Sequence, residues 1–68
     1  MKQRWKVRDL KLGEFFTEKP LDNPRQDQVL IRCAYNPKTG KYPCQRYSDI
    51  NDTVNLSGEA LVYTEFIF

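Results

Sequence analysis

VLIRCAYNPKTGKYPCQRYS, residues 29–48, carries the plainest structural signal in the chain. Two runs rich in β-branched and aromatic residues flank a polar connection, which is the pattern of a β-hairpin. Pro37 pre-sets the first corner of a type I turn, and Gly40 accepts a positive φ near its end. Alternation places Val29, Ile31, Cys33 and Tyr35 on one face of the first strand. On the second, Tyr42, Cys44, Arg46 and Ser48 share a face. If Asn36 opposes Lys41, then Tyr35 opposes Tyr42 and Cys33 opposes Cys44. Pro43 donates nothing to a ladder, so an edge position or a bulge is expected there.

Upstream, residues 2–8 alternate. Lys2, Arg4, Lys6 and Arg8 point one way and Gln3, Trp5 and Val7 the other, as in a half-buried strand. Gly13 marks a turn or bulge into a second strand, Glu14 to Lys19, which Pro20 stops. Residues 21–27 read as a polar loop with an Asn-Pro turn signal. Downstream, residues 49–59 are polar and punctuated, suiting a helical turn or a short irregular strand. Residues 60–68 carry the strongest strand pattern. With few polar groups on either face, they suit a central strand covered twice, or a self-association surface.

Four or five short antiparallel strands with little helix give an all-β fold in one domain, residues 1–68. The expected form is a small, strongly bent antiparallel sheet or a five-stranded SH3-like barrel, because closure removes exposed edges. A chain of 68 residues builds only a small core. No apolar run approaches the length that spans a bilayer, and the first residues lack the apolar centre of a secretory signal. The expectation is a cytoplasmic protein with no membrane partner.

The inventory argues against catalysis and metal binding. There is no histidine, so no ordinary Ser-His or Cys-His couple exists. Two cysteines fall short of the four ligands of a structural zinc site, and they lack Cys-x-x-Cys spacing. Two reduced core residues are expected instead. Asp49, Asn51, Asp52 and Asn55 suit turn formation better than cation binding. Asn51-Asp-Thr53 and Asn55-Leu-Ser57 match the N-glycosylation acceptor, a motif short enough to arise by chance. No cofactor, metal or catalytic residue is assigned.

Net charge is +2, but it is unevenly distributed. The first eleven residues carry five basic groups against Asp9. Residues 12–68 carry six basic and eight acidic groups, and the last twenty are acidic only. The expected binding surface is Lys2, Arg4, Trp5, Lys6 and Arg8, joined by Arg32, Tyr42, Arg46 and Tyr47. Arginine and aromatics together suit a protein interface, so the first expectation is a non-enzymatic interaction module or small regulatory protein. The alternative is a nucleic-acid-binding barrel, with the basic strand on phosphates and aromatics on bases. Near-cancellation of charge weakens that alternative. Self-association through the C-terminal strand, anchored by Phe66 and Phe68, is a further possibility.

Overall fold

A computed structural model describes residues 3–67. The turn forms as its residues dictate. Gly40 takes φ +70°, Asn36 N–H donates to Lys41 O at 2.9 Å, and the Asn36 Oδ1 accepts Lys38 N–H at 3.0 Å. Six strands are described: β1 (Arg4–Lys6), β2 (Phe15–Phe16), β3 (Leu30–Arg32), β4 (Tyr42–Arg46), β5 (Asp49–Leu56) and β6 (Leu61–Tyr63). They make two antiparallel sheets, β1-β6 and β2-β3-β4-β5. An isolated bridge between Thr17 and Tyr63 joins them, each backbone N–H donating to the other's carbonyl at 2.9 Å.

The expected barrel does not form. Neither sheet closes or curls strongly. A barrel needs a ladder that runs unbroken around the ring. Here β2 has two residues, β6 has three, and β5 pairs on one side only, with β4. Among the described residues, the backbones of the two sheets pair at a single rung rather than along a seam.

The hairpin differs from expectation by one residue. Asn36 does pair with Lys41, but Arg32 then faces Cys44, and Cys33 N–H donates to Pro43 O at 3.0 Å. The register has slipped by one between the turn and the ladder. A one-residue slip exchanges the faces, so Leu30 and Arg32, not Ile31 and Cys33, share the inner face with Cys44. Leu30 is buried whereas Ile31 is half-buried. The cysteines are therefore not opposed, and both are free thiols. Pro43 sits in a central strand, flanked by β3 and β5. Its missing N–H falls on the β3 side, at the slip, where β3 has already ended.

The polar segment 49–59, expected as a helical turn or a short strand, holds the longest strand. Arg46 pairs with Asp49 across the Tyr47-Ser48 turn, and the next pair is Gln45 with Thr53. Residues 50–52 bulge out between these pairs. Asp49 Oδ1 accepts Asn51 N–H at 3.0 Å, and Arg46 Nε donates to Asp52 Oδ2 at 2.7 Å. At the ends of the chain the strands are shorter than expected. A 3-10 turn, Val7–Asp9, interrupts the first and buries Val7. The strand over residues 60–68 is reduced to β6, and residues 64–67 are not in a strand. Lys2 and Phe68 lie outside the described residues. β6 pairs with β1 along its length and meets Thr17 at Tyr63 on its other side.

The core sits between the inner face of the larger sheet and the β1-β6 pair. Val7, Leu10, Phe16, Leu30, Cys44 and Val62 form it, with Tyr42, Val54, Leu56 and Ala60 packed at its margin. Phe16 is wholly buried. The Thr17 hydroxyl, also buried, donates to Lys19 O at 2.6 Å.

Candidate interaction surface

The inner-face positions Arg32 and Tyr42 lie at the margin of this core, near the 36–41 turn. The Arg32 guanidinium lies 4.6 Å from the Tyr42 ring centroid, and Tyr35 tilts against Tyr42 with centroids 5.0 Å apart. Tyr35 is 49% exposed. Arg32 Nε is buried with no hydrogen-bond partner, so stacking on the ring, not hydrogen bonding, holds that end of the side chain. The slip in register builds this stack. It turns Arg32 to the same face as Tyr42, while Tyr35 comes alongside from the turn.

Arg8 reaches the same region from the other sheet. Arg8 N–H donates to Gly58 O at 3.3 Å, and the Tyr42 ring and the Arg8 side chain both crowd the Cα of Gly58 on the side a Cβ would occupy. Three of the expected surface residues, Arg8, Arg32 and Tyr42, thus cluster. Tyr35 completes the cluster, although sequence alternation alone did not mark it as surface. Its place one residue before the turn is the signal that was available.

The other expected residues scatter. Arg4, Trp5 and Lys6 lie on β1. Trp5 is 38% exposed and lines a cleft of about 190 Å³ with Asp9, Leu10, Lys11, Glu14 and Thr64. Two carboxylates beside the indole oppose its use as a platform for a nucleic-acid base. Lys6 meets Glu59 at 3.1 Å, and Arg8 also pairs with Glu59. Hydrogen bonding from Lys6 and the nearby Arg8 charge hold the Glu59 carboxyl below its ordinary pKa. Arg46 is at the far end of β4, four residues from Tyr42, or about 13 Å along the strand. It is bound to Asp52 and to the Asp27 carbonyl, and it lines a second cleft, of about 160 Å³, with Glu18, Lys19, Leu21, Asp27 and Gln28. Its hydrogen bond to Asp52 raises its pKa.

Tyr47 lies with Phe15, ring edge to ring face, centroids 5.6 Å apart. Phe15, opposite Ile31, is on the outer face of the larger sheet. This pair is separate from the Tyr42 cluster. The basic stripe read along the sequence is therefore not one patch in space. Of the expected cations, Arg4 and Lys6 lie on β1, Arg8 in the Val7–Asp9 turn beside Gly58 and Arg46 at the far end of β4, and carboxylates pair with Lys6, Arg8 and Arg46.

Among the described residues, no group of three or more Cys, Asp or Glu side chains is gathered to hold a metal ion. Burial pushes the Cys44 thiol up to about 11, which suits an inert core residue. No helix among the described residues is long and apolar enough to cross a membrane.

The fold and surface together define a small open-sheet all-β protein. No protein-family model, curated protein or solved structure matches the chain.

Proposed function

We propose that this chain is a non-enzymatic protein-interaction module whose contact face is built around the Arg32–Tyr42–Tyr35 stack. That stack is the observation carrying the reading. Tyrosine and arginine are the side chains that dominate binding energy at protein interfaces. Here they are already packed against one another, with ring centroids 5.0 Å apart and the guanidinium 4.6 Å from the Tyr42 centroid. A pre-packed cluster loses less side-chain entropy on binding. Arg8, beside Gly58, extends the face, and the Lys6–Glu59 and Arg8–Glu59 pairs form a polar rim.

The nucleic-acid reading is second. Phosphate binding draws on uncompensated cations arranged along a path. Lys6 and Arg8 share Glu59, and Arg46 holds Asp52. The deciding experiment is chemical cross-linking of the chain to proteins of its native host. It compares the wild type with folded Tyr35→Ser and Arg32→Gln variants. The reading expects a discrete cross-linked product that both substitutions abolish. A product insensitive to both overturns it. Salt-dependent retention on DNA or RNA, lost in the same variants, would transfer the face to the alternative.

A further inference from the structure

Among the described residues, β5 pairs with β4 on one side and has its other backbone edge unpaired. Cys33 N–H to Pro43 O and Tyr47 N–H to Val29 O turn Pro43 and Tyr47 toward β3. Alternation then turns Tyr42 and Cys44 toward β5, where they face Leu56 and Val54. Val54 and Leu56 spend their backbone groups on β4. Thr53 and Asn55 direct theirs to the open side, and both residues are exposed.

Exposed edges of soluble proteins are guarded by lysine, proline, bulges or inward charges. β5 carries its guards at one end only. Asp49, Asp52 and the bulge occupy residues 49–52, and Arg46 already neutralises Asp52. Residues 53–56, Thr-Val-Asn-Leu, carry no charge and no proline.

We propose that this edge pairs with the same edge of a second copy of the chain, antiparallel, about a two-fold axis at Val54. In that register Thr53 of each copy opposes Asn55 of the other, and the two exchange both N–H···O bonds. Both outward-facing residues are satisfied at once. Val54 meets its own copy, extending the half-buried apolar margin of the inner face. Asp52 falls opposite Leu56, so no like charges meet across the seam. Setting the axis at Asp52 would place two carboxylates in opposition. The two-fold seam closes on itself and gives a dimer, not a filament. It joins two four-stranded sheets into one. This proposal does not depend on the Tyr42 face, which lies on other strands.

The seam is short, so association is weak and belongs with small interfaces. Sedimentation velocity across ~10 µM to ~1 mM chain reads it directly. The expected result is a concentration-dependent dimer. Asn55→Pro removes an outward N–H and no bond to β4, and should weaken the dimer at least ~10-fold. Should that variant fail to fold, Thr53→Asp combined with Asn55→Asp sets carboxylates against each other and gives the same loss. Thr53→Lys combined with Asn55→Asp sets opposite charges across the seam and restores association. A monomer at every concentration leaves the edge to an extended segment of another protein and overturns the proposal. A dimer unaffected by Asn55→Pro or by the paired aspartates also overturns it.

Discussion

Gly58 and Tyr42 stand so close that a methyl group at Gly58 would lie 3.0 Å from the Tyr42 ring and 3.3 Å from the Arg8 Cβ. The glycine is a spacer between the two sheets at the point where the aromatic cluster begins. Gly58→Ala should push the ring off Arg32 and cost about 1–3 kcal/mol as an overpacking change. It should also alter the tyrosine signal in near-ultraviolet circular dichroism. Gly13→Ala is the control. That position has φ +84° and open space around it, so its cost of about 1 kcal/mol is backbone strain alone, with no aromatic change. Identical spectra for the two variants would refute this account of Gly58.

Arg32 contributes more to the surface than to stability. Its Nε is buried without a hydrogen-bond partner, so a neutral side chain of similar shape gives up stacking but removes an unsatisfied donor. Arg32→Met should change unfolding free energy by less than about 1 kcal/mol. Urea denaturation measures it. A loss of several kcal/mol would mean the guanidinium is structural.

Cys44 should make the fold sensitive to alkali. Its thiol is held up to about 11 by burial, against about 8.5 in an unfolded chain. The stability this difference provides is whole below the unfolded pKa. It falls as pH rises through that value and is gone above the folded one. Urea midpoints between pH 8 and 10.5 should decline, and Cys44→Ala should flatten the decline. In the folded wild type at pH 8, iodoacetamide should leave Cys44 unmodified until the chain unfolds.

Glu59 acts at the acid end with the opposite sign. Lys6 and Arg8 depress its pKa, so its contribution is present above the unfolded glutamate value, about 4.3, and is lost as pH falls through the folded value. The group is exposed, so the effect is small and weakens with salt. Glu59→Gln should flatten the acid limb. A Glu59 carboxyl that titrates in the ordinary range by NMR would contradict the pairing.

Much of the hairpin was legible because its signals are local. Asn36, Pro37 and Gly40 specify a turn through their own backbone preferences, and the Asn36–Lys41 bridge follows. The slip beyond it was not legible. Register depends on which of Leu30 and Ile31 finds the core, and both are apolar, so alternation offered two equivalent readings. β5 was concealed for a different reason. An edge strand exposed on most of its length needs no apolar alternation, so Asp-Ile-Asn-Asp-Thr-Val-Asn-Leu suits a helical turn or a short irregular strand equally. Residues 64–67 erred the other way, since their apolar pattern promises a strand, whereas β6 ends at Tyr63 and Ile67 N–H donates to Asp22 O instead. The candidate surface was half legible. Residue types pointed to Arg8, Arg32 and Tyr42, but the carboxylates that divide the basic stripe are distant in sequence, as Glu59 is from Lys6.

The bridge at Thr17 and Tyr63 also governs how the molecule opens. A rung buried at Thr17 and bonded in both directions ties the motion of the β1-β6 pair to that of the larger sheet. With the tie intact, amide protons in both sheets exchange through one shared event. With it broken, the β1-β6 ribbon detaches first, and its protons exchange early while those of β4 wait. Thr17 in this sense adds a backbone tie to the shared core of Val7, Phe16, Leu30, Cys44 and Val62, and the two together couple the sheets.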